Sequence, residues 1–237
     1  MQGSYTLEAL EERIGYHFHD VSLLRQALTH SSFTNEQKIN KANNYERLEF
    51  LGDAVLELVS SEFLFKEYSK VPEGELTKMR ASMVCEPSLA FCARDLDLGK
   101  YIRLGKGEES TGGRDRDSIT SDAMEAVIGA IYLDGGIDHA RSFINRFVLS
   151  DLEDKQLFYD SKSNLQELVQ GKLKKDFNYE LLEESGPEHN KTFRVSVHME
   201  GEKLGEGQGR TKKAAEQQAA YSALLALKER GYVFKKY

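Results

Sequence analysis

The stretch Tyr45-Glu-Arg-Leu-Glu-Phe-Leu-Gly-Asp-Ala-Val-Leu-Glu57 decides how the rest of the chain is read. Leu48, Leu51, Val55, Leu58 and Val59 recur at spacings of three and four, the pattern of an amphipathic helix. At about 100° per residue, Glu46, Glu49, Asp53 and Glu57 then fall within a sector of roughly 80°. Carboxylates at i,i+4 repel by roughly 0.2 to 0.5 kcal/mol a pair, and no Lys or Arg stands three or four residues after any of the four to offset this. A solvated face normally mixes signs. This one does not, so something cationic is expected opposite it. Phe50 lies about 40° from Glu46 on the same wheel. It either enters a partner subunit or packs under a neighbouring loop of its own chain.

Working outward, helical spacing runs from Leu7 to about Val148, the pattern of an all-α bundle. Pro72 and Gly74 mark a turn, Pro87 suits the first turn of a helix, and Gly105 to Gly113 reads as a glycine-rich loop. A further helical run, Asp122 to Leu133, is closed by Asp134, Gly135 and Gly136. It opens with Asp122 and Glu125 at i,i+3, and its next turns carry Ala126, Gly129 and Ala130, small enough to permit close helix packing. A crossing of the two helices there would join Glu49, Asp53, Asp122 and Glu125 in an all-oxygen site of the kind Mg²⁺ or Mn²⁺ prefers.

The polar stretch Leu149 to Ser163 carries no sustained pattern, which places a domain boundary near Tyr159 and divides the chain into residues 1–158 and 159–237. Beyond it, Ser163 caps a helix over Asn164 to Leu173, and Tyr179 to Glu184, Thr192 to Met199 and Lys203 to Gly207 read as strands. Helical spacing returns from Lys212 to Lys228. The order α-β-β-β-α predicts a small α+β domain, an antiparallel sheet backed by two helices.

The 237 residues carry a net charge of -7, unevenly spread. Residues 1–158 hold 18 Lys and Arg against 27 Asp and Glu, and residues 159–237 hold 14 against 12. An acidic first half opposes a polyanionic partner unless metal ions intervene. Cys85 and Cys92, seven apart with no metal-spaced neighbour, read as reduced thiols of an intracellular protein. No apolar run approaches about 18 residues and no signal peptide opens the chain, so a cytoplasmic protein without a membrane span is expected. The six His form no HExxH-type pair, and the glycine-rich loop lacks the Gly-Lys-Ser/Thr ending of a phosphate loop, so no nucleotide cofactor is expected. In Gly207-Gln-Gly-Arg-Thr-Lys-Lys-Ala-Ala-Glu216, Thr211 caps a helix whose first turn holds Lys212 and Lys213, where acids are usual. Lysines at the positive end of a helix suit an anion such as phosphate.

These motifs together resemble the bacterial ribonuclease III family over the whole chain. Glu46-Arg-Leu-Glu-Phe-Leu-Gly-Asp53 resembles its nuclease signature, Glu73-Gly-Glu-Leu-Thr-Lys-Met-Arg-Ala81 the next block, and Gly112-Gly-Arg-Asp-Arg-Asp-Ser-Ile-Thr-Ser-Asp-Ala-Met-Glu-Ala126 the third. The resemblance implies a helical endonuclease domain followed by a double-stranded-RNA-binding domain. It implies that Glu49, Asp53, Asp122 and Glu125 bind Mg²⁺, with Mn²⁺ as substitute, that Asp53 and Glu125 are the catalytic pair, and that Glu46 and Glu73 are outer acids of secondary weight. Phe50 matches a dimer-contact aromatic, which favours a homodimer. Gln166, Glu167 and Gln170 resemble first-helix residues that touch the shallow groove of duplex RNA, His189 a loop entering the next shallow groove, and Lys212 and Lys213 a phosphate clamp. The implied reaction is hydrolysis of double-stranded RNA to 5′-phosphate and 3′-hydroxyl ends by staggered cuts, in the processing of rRNA precursors and mRNA. His30, in Leu28-Thr-His-Ser-Ser32, resembles a family motif and is read as structural. Arg114 and Arg116 either touch RNA backbone or form surface ion pairs with Asp115, Asp117 or other acids. Two other classes compete: a duplex-RNA-binding regulator without catalysis, opposed by the presence of all six acids, and a phosphodiesterase acting on other substrates, opposed by the second domain.

Overall fold

A computed structural model describes residues 5–38, 40–150, 161–186, 191–209 and 211–232. The chain forms two compact units divided between Leu152 and Glu153. The boundary expected at Tyr159 falls in 151–160, outside the described residues.

The first unit is helical: α1 (Leu7–Ile14), α2 (Val21–Ala27), α3 (Ser31–Glu36), α4 (Glu46–Glu67), α5 (Glu73–Val84), α6 (Glu86–Asp95), α7 (Lys106–Ser110), α8 (Asp117–Gly135) and α9 (Ile137–Phe147). Its centre is α8, in which Ala123, Met124, Ala126, Val127, Ile128, Ala130 and Ile131 are all fully buried, as expected of a helix that runs through a core. Against it lies α4, burying Leu48, Val55, Leu56 and Val59. The start of α4 is anchored from two sides. Asn44 Oδ1 accepts from the Glu46 amide at 3.1 Å, and the Tyr45 amide donates to the Thr29 carbonyl at 2.9 Å.

The α4 and α8 backbones meet at two glycines. A Cβ on Gly52 would stand 1.8 Å from the Glu125 carbonyl oxygen, and one on Gly129 would stand 2.2 Å from the Leu48 carbonyl oxygen. No side chain fits between them, so the helices touch backbone to backbone. This fixes Glu49, three residues before Gly52, against Glu125 and the residue one turn before it, Asp122.

The carboxylate of Asp134 sits at the C-terminal end of α8, where the helix dipole disfavours an anion. It is held there by the Tyr16 hydroxyl at 2.7 Å and by the amides of His19 and Asp20, each at 2.8 Å. Burial alone would raise its pKa, but these donors outweigh burial and hold it down at about 2. An acid whose folded pKa is depressed stabilises the fold above its unfolded pKa and loses that contribution as pH falls through the folded value. With the side chain only 3% exposed, Asp134→Asn is expected to lose about 2 kcal/mol at pH 7. The Tm difference from the parent should close on acidification from about pH 4 to pH 2, as thermal melts across that range would read.

One loop expectation is corrected. The segment Gly105 to Gly113 is not a plain glycine-rich loop: it winds into α7 and then a 3₁₀ turn at Gly113–Asp115. Arg114 is the reason it is ordered, because its guanidinium donates to the carbonyls of Gly99 at 3.0 Å and Ile102 at 2.7 Å and pairs with Glu109 at 2.6 Å. Arg116 pairs with Glu108 at 2.5 Å, and Asp117 with Arg94 at 2.6 Å. Of the two readings left open for these arginines, the structure shows the ion-pair one, with the α7 acids as partners.

In the second unit, α10 (Ser161–Gln166) continues into π-helical turns over Glu167–Lys172. Strands β1 (Phe177–Ser185), β2 (Thr192–Met199) and β3 (Glu202–Gly209) follow, then α11 (Lys212–Glu229). The sheet is antiparallel in the order β1-β2-β3, with Tyr179 opposite Val197 and Val195 opposite Gly207. Val195 and Val197 join Leu165, Val169 and the alanine face of α11, Ala215, Ala219, Ala220 and Ala223, in one core. A Cβ at Gly207 would stand 2.3 Å from the Ala219 amide nitrogen, so β3 accepts α11 against its bare backbone. The α-β-β-β-α order holds, but Ser163, expected as a cap, lies inside α10, which begins at Ser161.

Candidate metal centre and nucleic-acid interface

The crossing at Gly52 and Gly129 brings Glu49 of α4 together with Asp122 and Glu125 of α8. One carboxylate oxygen from each lies within 4.8 Å of the others. All three are partly buried, and among the described residues no ion pair from Lys, Arg or His reaches any of them. Burial, then the charges of Asp53, Glu49 and Asp122, push the Glu125 pKa up to about 8. Burial, then Asp122, Glu46 and Asp53, push Glu49 up to about 7. Burial also raises Asp122, although the hydroxyls of Tyr45 and Ser121 counter it. Three crowded carboxylates, of which Glu49 and Glu125 hold their protons toward neutral pH, form a site that a hard dication would relieve, and an all-oxygen donor set suits Mg²⁺ or Mn²⁺.

The remaining acids are placed around this group. Asp53 is exposed and lies outside the three-residue cluster, although its charge is among those raising both Glu125 and Glu49. Glu46, in the first turn of α4, adds its charge at Glu49. Glu73 is exposed at the start of α5, where its Oε1 accepts from the Thr77 hydroxyl at 3.0 Å. The fourth acid of the stripe, Glu57, is not left facing a missing cation: Arg80 of α5 reaches across to it at 2.9 Å. Local spacing cannot show such a pair, because its cation lies on another helix. His30 caps α3, its Nδ1 accepting from the Ser32 amide at 3.1 Å, and burial holds its imidazole below the usual range. Gly52 is the site-building residue that sequence reading missed. Its signal was available as a glycine interrupting a helix between two acids, where glycine costs about 1 kcal/mol relative to alanine and so calls for a packing reason.

Phe50 is 80% exposed in the single chain, with Leu58 at 59% and Phe65 at 76%. The reading in which Phe50 packs under its own chain is therefore not what the fold shows. At about 100° per residue the three lie within roughly 80° of one another on α4, an exposed apolar stripe among the described residues.

In the second unit, Gln166, Glu167 and Gln170 are all exposed on the α10 segment. Lys212 and Lys213 are exposed in the first turn of α11, where the Thr211 side chain accepts from the Ala214 amide at 3.1 Å. The remaining first-turn amides stand beside the lysines, a positive helix end. His189 lies outside the described residues. Among the described residues no helix is long and apolar enough to cross a membrane.

Comparison with known proteins agrees with this layout. Residues 20–152 match the Ribonuclease-III-like family and residues 161–227 the double-stranded RNA binding motif. Ribonuclease 3 of Caldanaerobacter subterraneus subsp. tengcongensis is 51% identical over 224 residues, 93% of this chain and 98% of the relative. Ribonuclease 3 of Listeria welshimeri is 48% identical over 225 residues, covering 94% and 98%. A structure of the ribonuclease III nuclease domain from Campylobacter jejuni, described for flexibility in its dimer-forming region, superposes with a TM-score of 0.57 at 47% identity, covering 60% of this chain and 96% of that one. With both modules matched in order and relatives similar over nearly their full length, the chain belongs to the ribonuclease III family of double-stranded-RNA endoribonucleases.

Proposed function

We propose that this chain is a Mg²⁺-dependent endoribonuclease, with Mn²⁺ as substitute, that acts as a homodimer on double-stranded RNA in the cytoplasm. Residues 1–158 cut and residues 159–237 hold the duplex. Each subunit cleaves one strand, leaving staggered ends with 5′-phosphate and 3′-hydroxyl, in the maturation of structured precursors such as rRNA and of mRNA. The observation that carries this reading is the convergence of Glu49, Asp122 and Glu125 within 4.8 Å in a chain that continues into a duplex-RNA motif.

Glu49, Asp53, Asp122 and Glu125 are the residues that would hold the ion. Held there, a divalent cation would supply Lewis acidity to the phosphate oxygens, a lowered pKa to the attacking water and charge stabilisation to the departing 3′ oxygen. By the family pattern, Asp53 and Glu125 would be the catalytic pair. Glu46 and Glu73 add negative field from outside. In the second domain, Gln166, Glu167, Gln170 and His189 read the shallow grooves, and Lys212 and Lys213 grip phosphates, a mode that senses duplex shape and 2′-hydroxyls more than sequence. The α4 stripe of Phe50, Leu58 and Phe65 is covered by a second copy of the chain, which hides apolar surface that a monomer leaves in water.

The test is a denaturing gel with matched RNA duplex, DNA duplex and single-stranded RNA, each with Mg²⁺ and with EDTA. Cleavage of the RNA duplex alone, and with Mg²⁺ alone, is expected. An RNA duplex that is bound yet intact under both Mg²⁺ and Mn²⁺ would replace this reading with the regulator one.

A further inference from the structure

We propose that Tyr45 is a positioning residue of the metal centre, its buried phenol holding the Asp122 carboxylate in the ligand set and so setting the Mg²⁺ concentration at which the site fills. The inference rests on the reading of Glu49, Asp122 and Glu125 as ligands.

Tyr45 joins the two helices that supply the acids. Its carbonyl accepts from the amides of Leu48 at 2.8 Å and Glu49 at 2.9 Å, so its backbone sets the first turn from which Glu49 projects. Its hydroxyl reaches α8, 77 residues away, and donates to Asp122 Oδ2 at 3.4 Å. The residue itself cannot wander. It is 3% exposed, its amide is tied to the Thr29 carbonyl at 2.9 Å, and its ring meets the His30 ring edge-on at 5.6 Å.

The other oxygen of Asp122 has a poorer partner. Ser121 Oγ stands 3.5 Å from Oδ1, but it also donates to the Ser118 carbonyl at 3.0 Å, so its proton is committed to its own helix. Among the described residues no ion pair reaches Asp122, so the phenol is the one donor aimed at it from another element. A phenol, with an ordinary pKa of about 10, keeps its proton at neutral pH and acts as donor. The Asp122 charge is set against Glu49 and Glu125 and raises the pKa of both. A neutral donor beside it resists that repulsion without competing for the cation as a lysine would.

Tyr45→Phe keeps the ring and its apolar contacts and removes only the hydroxyl. In the full chain, two quantities are read: the rise in Tm that Mg²⁺ produces over EDTA without RNA, and the Mg²⁺ concentration giving half-maximal cleavage. The Mg²⁺ needed for either is expected to rise about tenfold, the scale of losing one hydrogen bond to a charged group. Cleavage at saturating Mg²⁺ should return to near the parent rate, and duplex-RNA binding in EDTA should not change. A lower Tm in EDTA with the parent's Mg²⁺ dependence would make the phenol merely structural and overturn the inference. So would a variant that fails to fold, since phenylalanine preserves all but the hydroxyl. Asp122→Asn is measured alongside. If it abolishes the Mg²⁺-induced Tm rise while Tyr45→Phe leaves the Mg²⁺ dependence untouched, the positioning role alone falls. If Asp122→Asn itself retains the parent's rise, the ligand reading falls and the inference falls with it.

Discussion

Glu125→Gln is expected to reduce cleavage of duplex RNA by about 100- to 1000-fold or more, the scale of removing one group that balances charge in the transition state, while duplex binding in EDTA is retained. The residues proposed to grip RNA lie in the second unit, and the substitution preserves side-chain volume on α8. A second signature separates this from simple damage. The Glu125 pKa stands at about 8 in the fold against an ordinary 4.5. Between those values the folded state binds the extra proton, so stability falls as pH rises through the window, and the full penalty is present above about pH 8. Glutamine carries no charge and escapes that penalty. In EDTA the variant should therefore melt higher than the parent at pH 8, and the difference should vanish near pH 4.5. A Mg²⁺ titration at pH 8 should stabilise the parent more than the variant, because the ion relieves in the parent what the substitution has already removed. Retained Mg²⁺-dependent cleavage would remove Glu125 from the catalytic set. Lower stability at every pH would attribute the lost activity to misfolding.

Much of this architecture is legible in the chain because its signals are local. The three-and-four spacing around Leu48 to Val59 gives α4, the alternation Phe193, Val195, Val197 gives β2, and the period change across 149–163 separates two modules of different class. The meeting of Asp122 and Glu125 with Glu49 was also legible, through the small residues Ala126, Gly129 and Ala130, whereas Asp53 lies outside that group. What stayed hidden depends on contacts between distant segments. Arg80 neutralises Glu57 from the next helix. Arg114 orders the glycine-rich segment by binding carbonyls at Gly99 and Ile102, a partnership that no spacing rule contains. Tyr45 and Asp122 are 77 residues apart. The π-helical turns over Glu167–Lys172 could not be foreseen either, since the α-helical and π-helical patterns differ by less than a residue per turn and tertiary packing chooses between them.

Gly52→Ala is the substitution that tests how the acids are brought together, and its effect is expected to be large for one methyl group. The new Cβ would stand 1.8 Å from the Glu125 carbonyl oxygen and 2.9 Å from the Gly129 amide nitrogen, both backbone atoms with no rotamer through which to give way. The two helices must separate. Overpacking of this kind costs about 1 to 3 kcal/mol and occasionally more, or about 2 to 4 °C of Tm for each kcal/mol in a unit of this size. Activity should suffer more than stability does. Glu49 is three residues before Gly52 and Asp53 is next to it, while the obstructing carbonyl belongs to Glu125 itself, so the displacement falls directly on the distance between the two halves of the site. A shift of about 1 Å in such a constellation costs on the order of 100-fold. Gly74→Ala supplies the contrast, because a Cβ there meets nothing within 4 Å and the residue lies in exposed helix. It should match the parent in cleavage and gain up to about 1 kcal/mol from helix propensity. If Gly52→Ala instead cleaves at the parent rate with the parent's Mg²⁺ dependence, the acids do not depend on backbone contact at this crossing. The close approach would then be a packing feature of the bundle, and the metal site would have to be assembled by the side chains alone.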